Sequence, residues 1–435
     1  MNPTVPPPVW ICALASSALL WGSLRLRRRQ RLLHDLPTSK TAGVFIGLVE
    51  VQGTAESAHP LRSFLSEAAC VHFAYDVQEH WSRIVTETYT DDKGKTQTRT
   101  RHESGWTTIA SGGEMQSFYL KDDTGAVQVR PTGAKLEPLT LFEETVSRGD
   151  PLYFGKGPDT FVPHSDHRRR FVERGIPLHA PLYVVGVARE RSDVVAPEIA
   201  EDRAAPLFLI TTRSERSVQR GYAAWSWVCW TVGLALTAAG AAFLTSTSAR
   251  PPLGPALLGG ALFLLPWALG WTWMVFNSLI ALRARVRQGW SLIDVQLKRR
   301  HDLIPRLAAT LAALSEHEHA TQGAIAALRT QAQATPPGAP GPDYAGVATS
   351  LRAVIEAYPE LTAQGAFAQL HRELVETEQR VALARSYYND IATEFANRLE
   401  RVPDRWVAAL VGMRPEPLLG AANFERAPVE VSFAS

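Results

Sequence analysis

The chain has 435 residues, enough for two or three domains with separate cores, and its formal net charge is +2. So small an excess of positive charge gives no reason to expect a nucleic-acid partner, and we predict none. The three cysteines, Cys12, Cys70 and Cys229, form no close pair, which excludes a disulfide framework, a zinc finger and a RING.

The chain opens with a short apolar segment at residues 9–24, and five arginines follow it within seven residues. A secretory signal carries its positive charge before the apolar stretch, so this order predicts an uncleaved anchor with its basic end in the cytoplasm. The segment would be about 24 Å long as a helix, which suits only a thin or locally compressed bilayer. We predict an N-terminal transmembrane anchor over residues 1–24.

Residues 41–212 have the pattern of a β-rich soluble domain. Apolar and polar residues alternate from 71 to 77, as they do in a half-buried strand. Two strand-like segments flank a charged tip at 91–95, which predicts a long hairpin. The turn KDDTG at 121–125 predicts a second hairpin, and residues 182–190 and 206–212 predict two further strands.

Two histidines stand beside three consecutive arginines at residues 164–171. A third metal ligand is missing nearby and the arginines oppose a cation, so we predict no metal site. We interpret the segment as a solvated loop. Its arginines are candidates for contact with an anion or a lipid phosphate, namely Arg168, Arg169 and Arg170.

Two more apolar segments follow, at residues 222–244 and 253–282, and we predict that both are transmembrane helices. The second contains Pro266, where a kink is expected, and it is longer than the hydrocarbon layer is thick. Arginines flank these segments at Arg213, Arg216, Arg220, Arg283, Arg285 and Arg287.

Three membrane crossings place all the arginine-rich ends on one side, which the distribution of positive charge assigns to the cytoplasm. We therefore predict a multi-pass protein of a bacterial inner membrane, with the lipid bilayer as a partner and both soluble domains in the cytoplasm. The arginines after the third crossing are candidate lipid contacts: Arg283, Arg285 and Arg287.

Residues 283–411 predict an antiparallel bundle of three or four helices. Apolar residues recur at steps of three and four from 279 to 328 and from 367 to 395, and such stripes must be buried against other helices. Trp290 could contact either lipid head groups or the bundle core, and we favour the core. We expect a bend or a helix boundary at Pro305. A Pro/Gly linker at 335–342 and a short helix at 343–357 separate the long helices, and an extended tail at 412–435 follows.

The expected fold class is a multidomain membrane protein with three transmembrane helices, a β-rich α+β soluble domain and an all-α antiparallel helical bundle. The segments SLIDVQLKRRHDLIPRL, YPEL and ELVETEQRVALARSYYND resemble the LemA family, over residues 277–430. The resemblance implies a helical bundle on a transmembrane anchor. It brings no catalytic chemistry that could be assigned to residues of this chain.

The segments GLVEVQG, PLRSFLSEAACVHF, FYLKDDTGAVQVRP and LYVVGVAR resemble, more weakly, the GIDE domain of a mitochondrial E3 ubiquitin ligase and its bacterial relatives. In that ligase the activity belongs to a separate RING, which three cysteines cannot form, so ligase activity is not implied here. The ligase's domain lies on the side equivalent to the periplasm, whereas the arginines predict the cytoplasm for this one.

The sequence has no Ser/His/Asp order, no phosphate-binding glycine loop and no HExxH, and EHEH at 316–319 is interpreted as an exposed polar turn. We expect a non-enzymatic membrane scaffold, an assembly or remodelling factor that forms homo-oligomers or recruits an unknown protein partner. We expect no catalytic residue, cofactor or metal. The alternatives are a lipid- or ligand-sensing protein and an enzyme with its site in the β-rich domain.

Overall fold

The computed structural model describes residues 7–90, 96–191, 196–203, 205, 207–245, 253–314 and 365–419. Four sequence predictions lie outside these residues: the charged tip at 91–95, the EHEH turn at 316–319, the linker at 335–342 and the short helix at 343–357. The chain divides into two compact units. One comprises Met1–Pro37 and Val218–Ser435, and the other is Thr38–Ser217.

The described residues of the unit Thr38–Ser217 form β-strands, a 3-10 helix (Thr41–Gly43), a short helix α2 (Pro151–Gly155) and the first residues of α3 (Glu215–Thr245). The strands are β1 (Thr38–Ser39), β2 (Gly47–Glu56), β3 (Leu61–Arg62), β4 (Ala69–Thr90), β5 (Thr96–Met115), β6 (Phe118–Lys121), β7 (Ala126–Val129), β8 (Lys135–Glu137), β9 (Leu139–Ser147), β10 (Ser165–Pro177), β11 (Pro181–Glu190), β12 (Pro197–Ala200) and β13 (Leu209–Thr211). The β-rich character expected of residues 41–212 is present.

Five strands close into a small barrel in the order β2, β6, β7, β12 and β11, because β11 also pairs with β2. Strands β1, β13 and β8 extend this sheet. Branched and aliphatic side chains fill the interior, among them Val51, Leu120, Val129, Val184 and Ile199. Gly53 is needed where β2 passes β6, since a Cβ there would lie 2.5 Å from the Lys121 carbonyl oxygen.

The second sheet has the order β3, β4, β10 and β9, with β5 paired to β4. Both hairpins predicted from the sequence are present, as β4 with β5 and as β6 with β7. The segment with paired histidines and arginines is not a loop, because β10 begins at Ser165 and pairs with β4 and β9. Its inward side chains include Arg169, Phe171 and Glu173. Because charged residues occupy core positions, the alternation of apolar and polar residues typical of a strand is not visible in the sequence.

The other unit is helical and contains α1 (Pro7–His34), most of α3 (Glu215–Thr245), α4 (Leu253–Leu314), α5 (Gly365–Glu400) and α6 (Asp404–Val411). Within the described residues, three helices are long and apolar enough to cross a membrane, over Val9–His34, Glu215–Phe243 and Gly254–Leu303. Helix α1 continues past the predicted anchor and through the arginines that follow it.

Helix α4 has 62 residues and includes both Pro266 and Pro305, so the helix does not end at either proline. It packs antiparallel to α5. Three contacts establish the direction, because their numbers rise along α4 while they fall along α5: Ser278 with Arg398, Trp290 with Tyr388 and Arg300 with Glu378.

The apolar stripe predicted for α5 is confirmed, since its members from Leu374 to Phe395 are buried. On α4 the buried face includes Val286 and Ile293 but also two polar side chains, Gln296 and Arg300. Trp290 is 38% exposed and meets Tyr388 edge-on, so it lies at the margin of the contact and not in the core. Its neighbour Gly289 faces Tyr388 directly, and successive helical residues point in different directions.

Candidate functional site

A cluster of buried charges lies where the end of α1 meets α4, α5 and α6. Its centre is Arg398 on α5, which is 4% exposed. The Nε atom of Arg398 donates to Asp404 Oδ2 at 2.6 Å, and Nη2 donates to Ser278 Oγ at 2.9 Å. Nη1 donates to a carboxylate oxygen of Asp35, directly after α1. One guanidinium therefore joins four parts of the helical unit.

Asp404 binds a second guanidinium as well. Arg31 of α1 makes two parallel hydrogen bonds to it, Nη1 to Oδ2 at 2.9 Å and Nη2 to Oδ1 at 3.1 Å. Such paired bonds fix orientation in addition to supplying attraction. Asp404 also begins α6, where the helix dipole favours a negative charge. We call Arg31, Asp35, Arg398 and Asp404 the Arg398 cluster.

The Arg398 cluster balances two carboxylates against two guanidinium groups. Asp35, Arg398 and Asp404 are buried, and the Arg31 side chain is 18% exposed. Burial raises the pKa of the Asp35 carboxyl, and the neighbouring Arg398 opposes that rise. The main-chain oxygen of Asp35 also accepts a hydrogen bond from Arg285 Nη1 at 3.3 Å. Removing Arg398 would leave the buried Asp35 carboxylate without its closest guanidinium, whereas Asp404 would keep its bonds from Arg31.

His34 extends the charged region toward solvent. Its Nδ1 lies 3.2 Å from a carboxylate oxygen of Glu394. His34, Asp35 and Glu394 together place potential metal-ligand atoms within 4.8 Å of one another. A cation bound there would lie beside the Arg398 guanidinium, which already neutralises Asp35. The arrangement therefore favours an internal ion network over metal binding.

The described part of the tail, residues 413–419, lies along α5. Helix α6 ends at Gly412, which has φ = +66°, a conformation that suits glycine. Tyr388 Oη donates to the Pro417 carbonyl at 2.8 Å. The Asn389 amide makes two bonds to Leu419, donating to its oxygen at 3.0 Å and accepting from its nitrogen at 2.9 Å. Adjacent residues of the SYYND segment thus hold the tail.

The arginines after the third apolar segment have different environments. Arg283 lies 3.8 Å from the Glu416 carboxylate, and Arg285 bonds the Asp35 carbonyl. Arg287 is exposed. Two of the three predicted lipid contacts therefore face protein groups, while Arg287 is open to solvent or a membrane surface.

The three arginines of β10 do not form one surface. Arg168 is exposed, and Arg170 pairs with Glu143 near the surface. Arg169 is fully buried, so it cannot contact a lipid phosphate as the sequence suggested. The alternation of a strand separates neighbours onto opposite faces, whereas the loop interpretation had placed all three in solvent.

Arg169 holds residues 150–162 against the second sheet. Its guanidinium donates to Glu79 Oε2 at 3.2 Å and to the carbonyls of Tyr153, Pro158 and Thr160 at 2.8–2.9 Å. It also lies 3.9 Å from the Tyr153 ring centroid. The Tyr153 hydroxyl donates in turn to Glu79 Oε1 at 3.0 Å. These hydrogen bonds compensate the buried charge of Arg169, which therefore has a structural role.

Among the pairs of titratable groups in the β-rich unit, Glu50 with Tyr183 and His80 with Asp166 differ in their access to solvent. Glu50 is fully buried and accepts hydrogen bonds from Tyr183 Oη at 2.6 Å and from the Thr38 hydroxyl at 2.9 Å. Burial raises the pKa of Glu50 to about 7. His80 Nδ1 and Asp166 Oδ2 lie 2.5 Å apart and are partly open to solvent. The two pairs differ in access, since His80 and Asp166 are within reach of solvent and Glu50 is not.

The sequence does not predict the Arg398 cluster, because Arg31 and Asp35 lie more than 360 positions before Arg398 and Asp404. A first local signal was available. Arg398 follows Phe395 by three residues and so continues the buried stripe of α5, where a charge requires a partner. Asp35 gives a second local signal, since it is a single acidic residue close after the arginines of α1.

The LemA family model matches residues 289–433, and the model described as E3 Ubiquitin ligase, GIDE, matches residues 86–244. The chain therefore carries a LemA domain toward its C-terminus and a GIDE-like domain toward its N-terminus. The first match includes Asn389, Arg398 and Asp404, and the second includes Arg169. Neither the curated proteins nor the solved structures yield a match.

Proposed function

We propose that this chain is a non-enzymatic, multi-pass protein of a bacterial inner membrane that acts as a scaffold through its LemA domain. The observation that carries the proposal is α4, which runs unbroken from an apolar segment into the LemA domain and packs there on α5. A continuous helix transmits position and orientation from the bilayer to the bundle. The Arg398 cluster attaches the end of α1 to the same helices.

The side chains that α4 leaves exposed support a lipid environment. A stripe at helical spacing consists of Leu258, Leu262, Leu265, Leu269 and Trp273. Large apolar side chains in such a row are expected to face acyl chains. Helix α6 exposes Trp406 and Leu410. Asp404 of the same helix bonds Arg31, one of the arginines of α1. The exposed side chains of α6 are therefore close to these arginines, as expected for a helix at the membrane surface.

The aromatic residues also indicate where α4 leaves the bilayer. Arg31 lies over the Trp271 ring, 5.7 Å from its centroid, so the arginines of α1 are level with this turn of α4. The part of α4 from Leu253 to Trp271 is about 28 Å long, close to the thickness of the hydrocarbon layer. The rest of α4 would stand in the cytoplasm with α5, together with the GIDE-like domain.

The internal roles of the buried charges support a non-enzymatic function. Glu79, Asp35 and Asp404 each bind a buried or half-buried arginine, and Glu50 binds two hydroxyl groups. A catalytic carboxylate needs access to substrate, which these groups lack. A lipid-sensing role is the second candidate, and the exposed Arg287 beyond the third apolar segment favours it.

Self-association is the part of the proposal most open to direct measurement. The full chain would be extracted in mild detergent and its mass determined by light scattering and by blue-native electrophoresis. We expect a homo-oligomer of defined stoichiometry that persists on dilution. A particle of monomer mass in two different detergents would contradict the assembly role, and membrane insertion would then be assessed by carbonate extraction.

A further inference from the structure

A crevice opens between α1, α3 and α4 at the point where the apolar part of α1 gives way to its arginines. Aromatic rings form much of its wall. Its lining consists of Ser23, Leu24, Arg27, Ser226, Trp227, Trp230, Trp267 and Trp271. We call this feature the tryptophan crevice.

The lining of the tryptophan crevice contains several hydrogen-bond donors. The Arg27 guanidinium lies over the Trp227 ring, 5.1 Å from its centroid, and Nη1 donates to Gln30 Oε1 at 3.1 Å, which leaves its other N–H groups for a ligand. Trp230 Nε1 is buried and has no hydrogen-bond partner in the structure. The hydroxyl groups of Ser23 and Ser226 belong to buried residues in the same lining.

The lining contains no carboxylate, so the tryptophan crevice is positively charged. An indole N–H can only donate, and an unpaired buried donor is costly unless an acceptor fills the site. A ligand that suits such donors is an anion with several acceptor oxygens. A guanidinium beside hydroxyl groups is a favourable setting for phosphate.

We propose that the tryptophan crevice binds the phosphate of an anionic phospholipid headgroup. The inference rests on the proposed membrane placement, because the crevice then lies at the boundary between headgroups and acyl chains. Tryptophan and arginine are favoured at that depth. The apolar parts of α1, α3 and α4 continue from the crevice toward the bilayer, where acyl chains attached to the bound phosphate can lie.

The test uses the full chain in mild detergent, titrated with phosphatidylglycerol or phosphatidylcholine and observed by native mass spectrometry. We expect retention of phosphatidylglycerol over phosphatidylcholine, and about tenfold weaker retention in Arg27→Gln. Arg28→Gln is the matched control, because Arg28 is the exposed next residue and its loss should leave retention unchanged. Equal losses in both variants would overturn the site and indicate a diffuse charge effect.

A second variant keeps the inference testable if Arg27→Gln does not fold. Trp230→Phe keeps one aromatic ring and removes the indole N–H together with the five-membered ring, and we expect about threefold weaker retention. Unchanged retention in this variant would overturn the role of Trp230. Inorganic phosphate forms a separate arm. If it displaces the lipid and stabilises the protein equally well without any lipid, the ligand is free phosphate and the headgroup proposal fails.

Carbonate extraction of membranes that contain the wild-type chain separates this inference from the proposed function. A chain that is released from membranes contradicts the membrane placement itself. A chain that stays inserted but shows no preference for the anionic lipid contradicts only the site.

Discussion

Arg398→Met tests whether the Arg398 cluster attaches α1 to the LemA domain. The substitution removes the bonds to Asp404, Asp35 and Ser278 while it keeps much of the side-chain length. Asp404 retains its paired bonds from Arg31, but Asp35 loses its closest guanidinium in a buried position. Because an uncompensated buried charge costs about 3–5 kcal/mol, we expect a loss of that size in the free energy of unfolding.

The loss should depend on pH in a defined direction. Burial raises the folded-state pKa of Asp35, and removing Arg398 raises it further. A carboxyl with a raised folded pKa contributes its stability below the ordinary value and loses it as pH rises through the raised value. The variant should therefore be closest to wild type in acid, and the deficit should grow toward neutral pH.

The measurement is equilibrium unfolding of the full chain in mild detergent, followed by circular dichroism at several pH values. Arg405→Met is the matched control, since Arg405 is exposed on α6 and its replacement should change stability by no more than about 0.5 kcal/mol. Adding Asp35→Asn to Arg398→Met should recover part of the loss. Equal effects of Arg398→Met and Arg405→Met, or a deficit independent of pH, would refute the reasoning.

Three further predictions concern other parts of the chain. Burial raises the folded pKa of Glu50 from 4.5 to about 7, so the free energy of unfolding of the β-rich unit should fall by about 3 kcal/mol as pH rises through that range. Hydrogen exchange measures this loss, and the Glu50→Gln variant should show no such dependence on pH. Arg169→Met should destabilise the same unit by about 3–5 kcal/mol in denaturant unfolding, whereas Arg170→Met, near the surface, should cost at most about 1 kcal/mol. Equal effects would contradict the structural role of the buried Arg169. Asn389→Ala removes both bonds to Leu419, so limited proteolysis should cut the tail faster, and an unchanged rate would contradict the tail's attachment.

The apolar helices and the hairpins could be predicted because their signals are local. An uncharged run such as 222–244 and the alternation at 71–77 are visible within one segment. The stripe of α5 is equally local, and its buried members match the sequence prediction. In each case short-range periodicity reports directly which face of an element is covered.

The buried charges could not be predicted in the same way, because each depends on a partner far along the chain. The sequence predicts a solvated Arg169, but pairing with β4, about 90 residues earlier, sets its inward position. The expectation that Trp290 lies in the core is wrong, because it is Gly289 that faces Tyr388 at this contact. Long-range partners and small residues at contacts carry little periodic signal.

The side of the membrane on which each soluble part lies is the most direct test of the proposed architecture. Single cysteines would be introduced by Ser104→Cys in β5, Arg372→Cys in α5 and Gly254→Cys at the start of α4, all exposed positions. The native cysteines Cys12, Cys70 and Cys229 would first be replaced by alanine. We expect an impermeant maleimide to label Gly254→Cys in intact spheroplasts, and to label the other two only after the membrane is permeabilised. Labelling of Arg372→Cys in intact spheroplasts would contradict a third crossing that delivers the LemA domain to the cytoplasm.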